Sequence, residues 1–137
     1  NMIDERGLNG TVKLNGPTKN IGQEYSDSSI LVMSSHYEGF PMVMVEAMAC
    51  GLPAVTFDYK CGPRDIIIDG ENGLIVPDGD IDGLAEAMVR LMKDDDLRKR
   101  MGEKAKKVVE TYSKEKVMSK WLQLYEETVA DKSGDKD

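Results

Sequence analysis

Between Met42 and Cys50 the chain reads Met-Val-Met-Val-Glu-Ala-Met-Ala-Cys, and Glu46 is the only polar side chain in the run. Gly51 and Pro53 follow, a glycine and proline pair that ends a helix. A helix apolar on every side is a buried helix. The Glu46 carboxylate is therefore expected in the interior or at its edge, where it needs hydrogen-bond donors to stay ionised. A second acid, Glu38, precedes Glu46 with seven residues between them. Gly39 gives a ligand access to the backbone and Pro41 suits a helix start. The free amides of that first turn, over Gly39 to Val43, would then face whatever lies in front of Glu38, which is how proteins hold phosphates without a basic side chain.

Other short apolar runs flank this helix. Ile30 to Met33, Ala54 to Phe57 and Gly73 to Val76 each have the length and composition of buried parallel strands. Between them the pattern predicts a weak helix at Ile21 to Ser28, the motif helix, a loop at Asp58 to Gly62 and a short helix around Arg64 to Ile68. Thr11 to Leu14 reads as a further strand with a turn at Asn15-Gly16-Pro17, after a helix end over Asn1 to Leu8. Strands alternating with helices indicate an α/β fold with a parallel sheet. From Asp80, a helix cap, the chain is helical. One stripe comprises Ile81, Leu84, Ala85, Met88, Leu91 and Met92; a second comprises Leu97, Met101, Ala105, Val108 and Val109. Ser113 caps a third helix with Val117, Met118, Trp121, Leu122, Tyr125 and Val129 on one face. Such stripes predict core. Residues 131 to 137 are polar and charged, the composition of a disordered tail after a single domain over residues 1 to 130.

At 137 residues the chain is long enough to bury a core, and its net charge of −7 argues against non-specific nucleic-acid binding. Two cysteines, one placed in the motif helix and one in a loop, make no disulfide framework, and a single histidine leaves no metal-ligand set. A reducing, cytoplasmic setting fits. There is no G-x-G-x-x-G with a downstream acid, no phosphate-loop lysine motif and no Ser/His/Asp set, so no cofactor is expected.

Taken together, Glu38-Gly39-Phe40-Pro41 and Glu46-Ala47-Met48-Ala49-Cys50-Gly51-Leu52-Pro53 closely resemble the Glu-x7-Glu signature of the family 4 retaining glycosyltransferases. The resemblance continues through Gly62-Pro63-Arg64-Asp65-Ile66-Ile67, Asp69 to Val76 and Asp78-Gly79-Asp80, and covers most of residues 10 to 125. The Cys61-Gly62-Pro63-Arg64 variant is most similar to bacterial members that build surface polysaccharides. The resemblance implies a Rossmann-like domain, the donor-binding C-terminal half of a GT-B fold, followed by C-terminal helices. It implies that Glu46 binds the ribose hydroxyls of a nucleotide sugar and that Glu38 faces the reacting sugar as the catalytic-site acid. The amides of Gly39 to Val43 would contact the sugar hydroxyls and phosphates, making Gly39, Phe40, Pro41, Met42 and Val43 the donor-binding residues beside Glu46, and UDP would be the usual carrier, with GDP and ADP open. The ordinary alternative for Glu38 is an acid beside a helix N-terminus, favoured by ~0.3–1 kcal/mol. For Arg64 a solvent salt bridge is the better expectation than a phosphate contact. Packing is the ordinary alternative for Phe40, and His36, which with Tyr37 precedes the motif where it could border the donor, is expected to be a surface or packing residue.

By the same resemblance the family's diphosphate-binding Arg and Lys pair and its acceptor domain would lie before Asn1, so the chain is expected to be a truncated domain, inactive alone. Thr11 to Leu14 would then pair beside Ile30 to Met33 or swap with another copy. The implied partners are a nucleotide-sugar donor and a glycan or lipid-linked acceptor met through another domain. Peripheral attachment at the inner face of a membrane and self-association of the chain are open. The competing function is a nucleotide-binding or interaction module that kept the fold and lost turnover. An epimerase or phosphorylase-like relative is disfavoured by the spacing of the two acids.

Overall fold

The computed structural model describes residues 1 to 134, with side chains described through residue 130. Three strands form one parallel sheet, β1 (Leu31–Met33), β2 (Ala54–Asp58) and β3 (Gly73–Pro77), in the order β1-β2-β3. Leu31 pairs with Ala54 and Ala54 with Gly73, so the three carboxyl ends lie along one edge. Helices α1 (Met2–Glu5) and α2 (Ile21–Ser26) precede the sheet, α3 (Met42–Ala49) joins β1 to β2, and α4 (Pro63–Ile66) joins β2 to β3. After β3 come α5 (Ile81–Lys93), α6 (Asp95–Ala105), a 3-10 turn at Lys106–Val108, α7 (Val109–Tyr112) and α8 (Lys114–Gly134). Parallel neighbours need such crossovers, and these helices cover both faces of the sheet.

On one face Met44, Val45 and Met48 of α3 pack with Ala54, Ile66, Ile67, Ala105 and Val108. On the other, Leu84 and Leu91 of α5 pack with Val55, Phe57, Leu74 and Met101. Helix α6 therefore serves both layers, Met101 in one and Ala105 in the other. It also passes close under the end of α3, since a Cβ on Gly102 would collide with the Gly51 carbonyl oxygen. Gly51 ends α3 with φ +89°, a left-handed conformation that glycine reaches without strain.

Several sequence expectations need correction. Thr11 to Leu14 forms no strand; this stretch is exposed, and its only ladder contact is a bridge from Val12 to Asn9. Nor does it pair beside β1, whose one strand partner is β2. The outer edge of β1 carries no strand among the described residues; β-propensity reflects packing against neighbours, and this exposed stretch has too little of it. The core-facing stripe of α5 is the buried Leu84 and Leu91 with the partly buried Ala87 and Met88, whereas Ile81, Ala85 and Met92 are exposed. Val109 is exposed too, and the whole apolar face of α8 lies in solvent rather than in the core. Asp80 does cap α5, accepting from the Gly83 amide at 2.9 Å, and Ser113 accepts from Lys116 N at 3.4 Å. Of the segment 131 to 137, expected to lack structure, α8 includes the first four residues and the last three lie outside the described residues. Among the described residues no helix is long and apolar enough to cross a membrane.

Candidate functional site

Helix α3 is two-faced. Met44, Ala47 and Met48 are fully buried, but Met42 is 54% and Val43 48% exposed, and Glu46 and Cys50 are exposed with them. The expectation of an all-round buried helix is therefore wrong for this side, and Cys50 is the exposed residue just after the helix rather than a buried one within it. The sequence hides this because the open face is itself apolar, so no polar stripe marks it. Glu46 sits there with no cation beside it among the described residues. Its partner is the Tyr25 hydroxyl, which donates to Glu46 Oε2 at 3.0 Å.

Glu38 lies on the loop between the carboxyl end of β1 and α3, and is half-buried. Ser35 Oγ donates to its Oε1 at 2.8 Å, which ties the loop across its own turn. The same loop is fastened over the sheet by His36. That ring stacks on Phe57 at 5.5 Å between centroids, and its Nδ1 lies 2.6 Å from Asp78 Oδ1. Thus one residue on the loop after β1 touches β2 and the turn after β3 while its side chain stays 69% exposed, a surface residue with one stacked face.

The first-turn amides divide. Met42 N donates back to the Phe40 carbonyl at 2.9 Å, and Pro41 has no N–H to offer. Among the described residues the amides of Gly39, Phe40 and Val43 have no partner in the chain. So the expected amide set of residues 39 to 43 shrinks to three. A Cβ on Gly39 would meet nothing within 4 Å, so the chain itself does not require glycine there. Phe40, 43% exposed, leans on Tyr112 with ring centroids 5.4 Å apart. Arg64 forks Asp58 through Nε at 2.9 and 3.1 Å and through Nη2 at 2.6 Å, the salt bridge expected for it. The Asp58 carboxylate raises the guanidinium pKa further and engages two of its five N–H donors, through Nε and Nη2.

Residues 1–108 match the model of the family described as Glycosyl transferases group 1. The chain belongs to that family. Over 131 residues it is 39% identical to an exopolysaccharide phosphotransferase of Streptomyces coelicolor, covering 95% of this chain and 14% of that protein. It is 36% identical over 125 residues to a poly(ribitol-phosphate) α-N-acetylglucosaminyltransferase of Staphylococcus aureus, covering 90% of this chain and 25% of the other. The crystal structure of a TarM variant of S. aureus, in complex with fondaparinux, α-GlcNAc-glycerol and UDP, is similar at a TM-score of 0.85 and 36% identity, over 90% of this chain and 25% of that one. The chain thus spans a quarter or less of the length of these relatives. The α/β, Rossmann-like parallel sheet of a GT-B glycosyl transferase is the architecture observed.

In this group 1 glycosyl transferase chain the family match ends at Val108, so it takes in every candidate site residue and leaves α8 outside. Two phenols that the sequence reading passed over flank the site. Tyr25 is one. The other, Tyr59, is 4% exposed, and its hydroxyl has no hydrogen-bond partner among the described residues. Burial and then the Glu38 charge push its pKa up; the Thr56 hydroxyl is near enough to offset this slightly, yet it donates to the Phe57 carbonyl instead. Neither phenol has a local sequence signal, because its partner or neighbour lies far along the chain. A groove of about 390 Å³ runs elsewhere, beside α4, lined by Arg64, Ile67, Asn72, Lys104 and Tyr112 among others. It borders neither Glu38 nor Glu46. Its walls are held by structural bonds, Asn72 to the Ile66 carbonyl and Lys104 to Glu71, which mark it as a seam between elements.

Proposed function

We propose that this chain is the donor-binding part of a family 4 retaining glycosyltransferase, which moves a hexose from a nucleotide diphosphate sugar, UDP the first candidate, to a glycan or lipid-linked acceptor. The observation that supports it most is the open face of α3. There, among the described residues, an acid without a counter-charge and two exposed apolar side chains follow three amides without a partner, on the segment after the carboxyl end of a parallel strand. Ligands of open α/β sheets sit at such ends. In this reading Glu46 accepts from the two ribose hydroxyls, since a carboxylate has room for several donors. Met42 and Val43 give apolar contact. The amides of Gly39, Phe40 and Val43 bind sugar hydroxyls or phosphate oxygens.

Glu38, oriented by Ser35, accepts from hydroxyls of the transferred sugar and fixes it for reaction. The bond from the anomeric carbon to the leaving phosphate oxygen breaks while the acceptor oxygen bonds to the same face of that carbon. The acceptor's proton passes to the departing diphosphate, and configuration is retained. The chain contributes position and dipoles aimed at the departing phosphate. Arg64 is assigned to its salt bridge with Asp58 rather than to the phosphate. Similarity to an exopolysaccharide phosphotransferase and to a poly(ribitol-phosphate) α-N-acetylglucosaminyltransferase supports such an acceptor.

The test is turnover by the full-length protein with UDP-, GDP- and ADP-sugars, followed by Glu38→Gln. The expected outcome is a larger loss in kcat than in nucleotide affinity. Wild-type turnover by Glu38→Gln on a proven donor would return Glu38 to a helix-end acid.

A further inference from the structure

Tyr25 is the one buried residue of α2, 6% exposed, and it packs with Ala47 and Leu52 under the edge of α3. A phenylalanine would fill the same slot. Tyr25 instead sends its hydroxyl to Glu46 Oε2, 21 positions away in the chain. The burial of the ring explains why that hydroxyl needs an acceptor. It does not explain why the acceptor is an exposed carboxylate that water would solvate equally well.

The bond has a consequence for the carboxylate. A free glutamate on a helix surface samples many rotamers, and each must be given up when a ligand binds. With Oε2 tied to a hydroxyl fixed in the core, Glu46 presents one orientation from the open face of α3. One acceptor position of roughly four is used, so both oxygens can still accept. A donor held by a neutral hydroxyl also leaves the negative charge in place, where a lysine or arginine would have neutralised it. Burial first, and then the bond to Glu46, raise the Tyr25 pKa to about 12, so the donor keeps its proton at any physiological pH.

We infer that Tyr25 is a positioning residue for the donor site: its hydroxyl pre-orients the Glu46 carboxylate to receive a vicinal diol, the ribose 2′ and 3′ hydroxyls of the nucleotide. This rests on the ribose assignment of Glu46 made above. It couples α2 to nucleotide affinity through the Glu46 carboxylate.

The test is a double-mutant cycle in the full-length protein, combining Tyr25→Phe with Glu46→Ala and titrating UDP and 2′,3′-dideoxy-UDP by calorimetry. With Glu46 present, Tyr25→Phe should weaken UDP binding about three- to tenfold, the scale of one side chain's ordering cost, and leave the dideoxy nucleotide unchanged. In the Glu46→Ala background Tyr25→Phe should change neither. Equal weakening of both nucleotides, which a loosened fold would also produce, overturns the inference and makes Tyr25 an anchor for α2. So does a loss that persists without Glu46, or no loss at all. A Glu46→Ala variant that binds UDP as wild type does removes the ribose assignment itself, and the inference with it; the other contrary results leave that assignment standing.

Discussion

At the scale of single residues, Tyr25 and Gly39 make separable predictions. The folded chain binds the Tyr25 phenol proton more tightly than an unfolded chain, whose ordinary value is 10.0 against about 12 here. The stability that this bond contributes is therefore complete below pH 10 and is lost as pH rises through the window up to about 12. Denaturant unfolding at about pH 9 and about pH 11 should show wild type losing more stability than Tyr25→Phe. Parallel losses would mean the phenol titrates alike in both states. Gly39→Ala puts a methyl where no chain atom lies within 4 Å, so the melting temperature should hold while donor affinity falls. Unchanged affinity would remove Gly39 from the donor surface. The sequence made Glu38, Gly39 and Glu46 visible because they share one short motif. Tyr25 and Tyr59 stayed hidden because a phenol pattern carries no trace of what its hydroxyl meets. Glu46 itself was placed too deep, since an apolar neighbour in sequence looks the same whether it faces core or ligand.

At the scale of elements, the contact between α6 and the end of α3 decides whether the motif helix keeps its place. Gly102→Ala would drive a methyl into the Gly51 carbonyl oxygen, a backbone atom that cannot swing aside. Overpacking of this kind costs about 1–3 kcal/mol, and α3 should shift with it. Denaturation of Gly102→Ala should show that loss; a wild-type midpoint would mean α6 has room to move. The three paired strands and the capped start of α5 were legible, since each rests on local pattern. The phase of α5 was not. Ile81, Ala85 and Met92 extend its apolar surface past the width of the buried stripe, so periodicity alone leaves the centre of that stripe open. The strand expected at Thr11 to Leu14 failed for a non-local reason: the stretch stays exposed and does not dock on the outer edge of β1, which no strand covers among the described residues.

At the scale of the whole molecule, α8 stands apart. Val117, Met118, Trp121, Leu122, Leu124, Tyr125 and Val129 are all exposed, Trp121 at 50% and Tyr125 at 62%, with their rings 6.0 Å apart. Helix α8 packs chiefly on α7, and a contiguous apolar face of this kind drives association. Light scattering of the chain should show mass rising with concentration, and Trp121→Lys should reverse it. A monomer at every concentration would show the face to be tolerated in water. The donor assignment is tested most directly by calorimetric titration of UDP into the full-length protein and its Glu46→Ala variant. Losing charge-assisted bonds of about 1.5–3 kcal/mol should weaken binding roughly ten- to hundredfold in a variant that stays folded, with a lower melting temperature because the buried Tyr25 hydroxyl loses its acceptor. Equal affinity in a folded Glu46→Ala variant would contradict it.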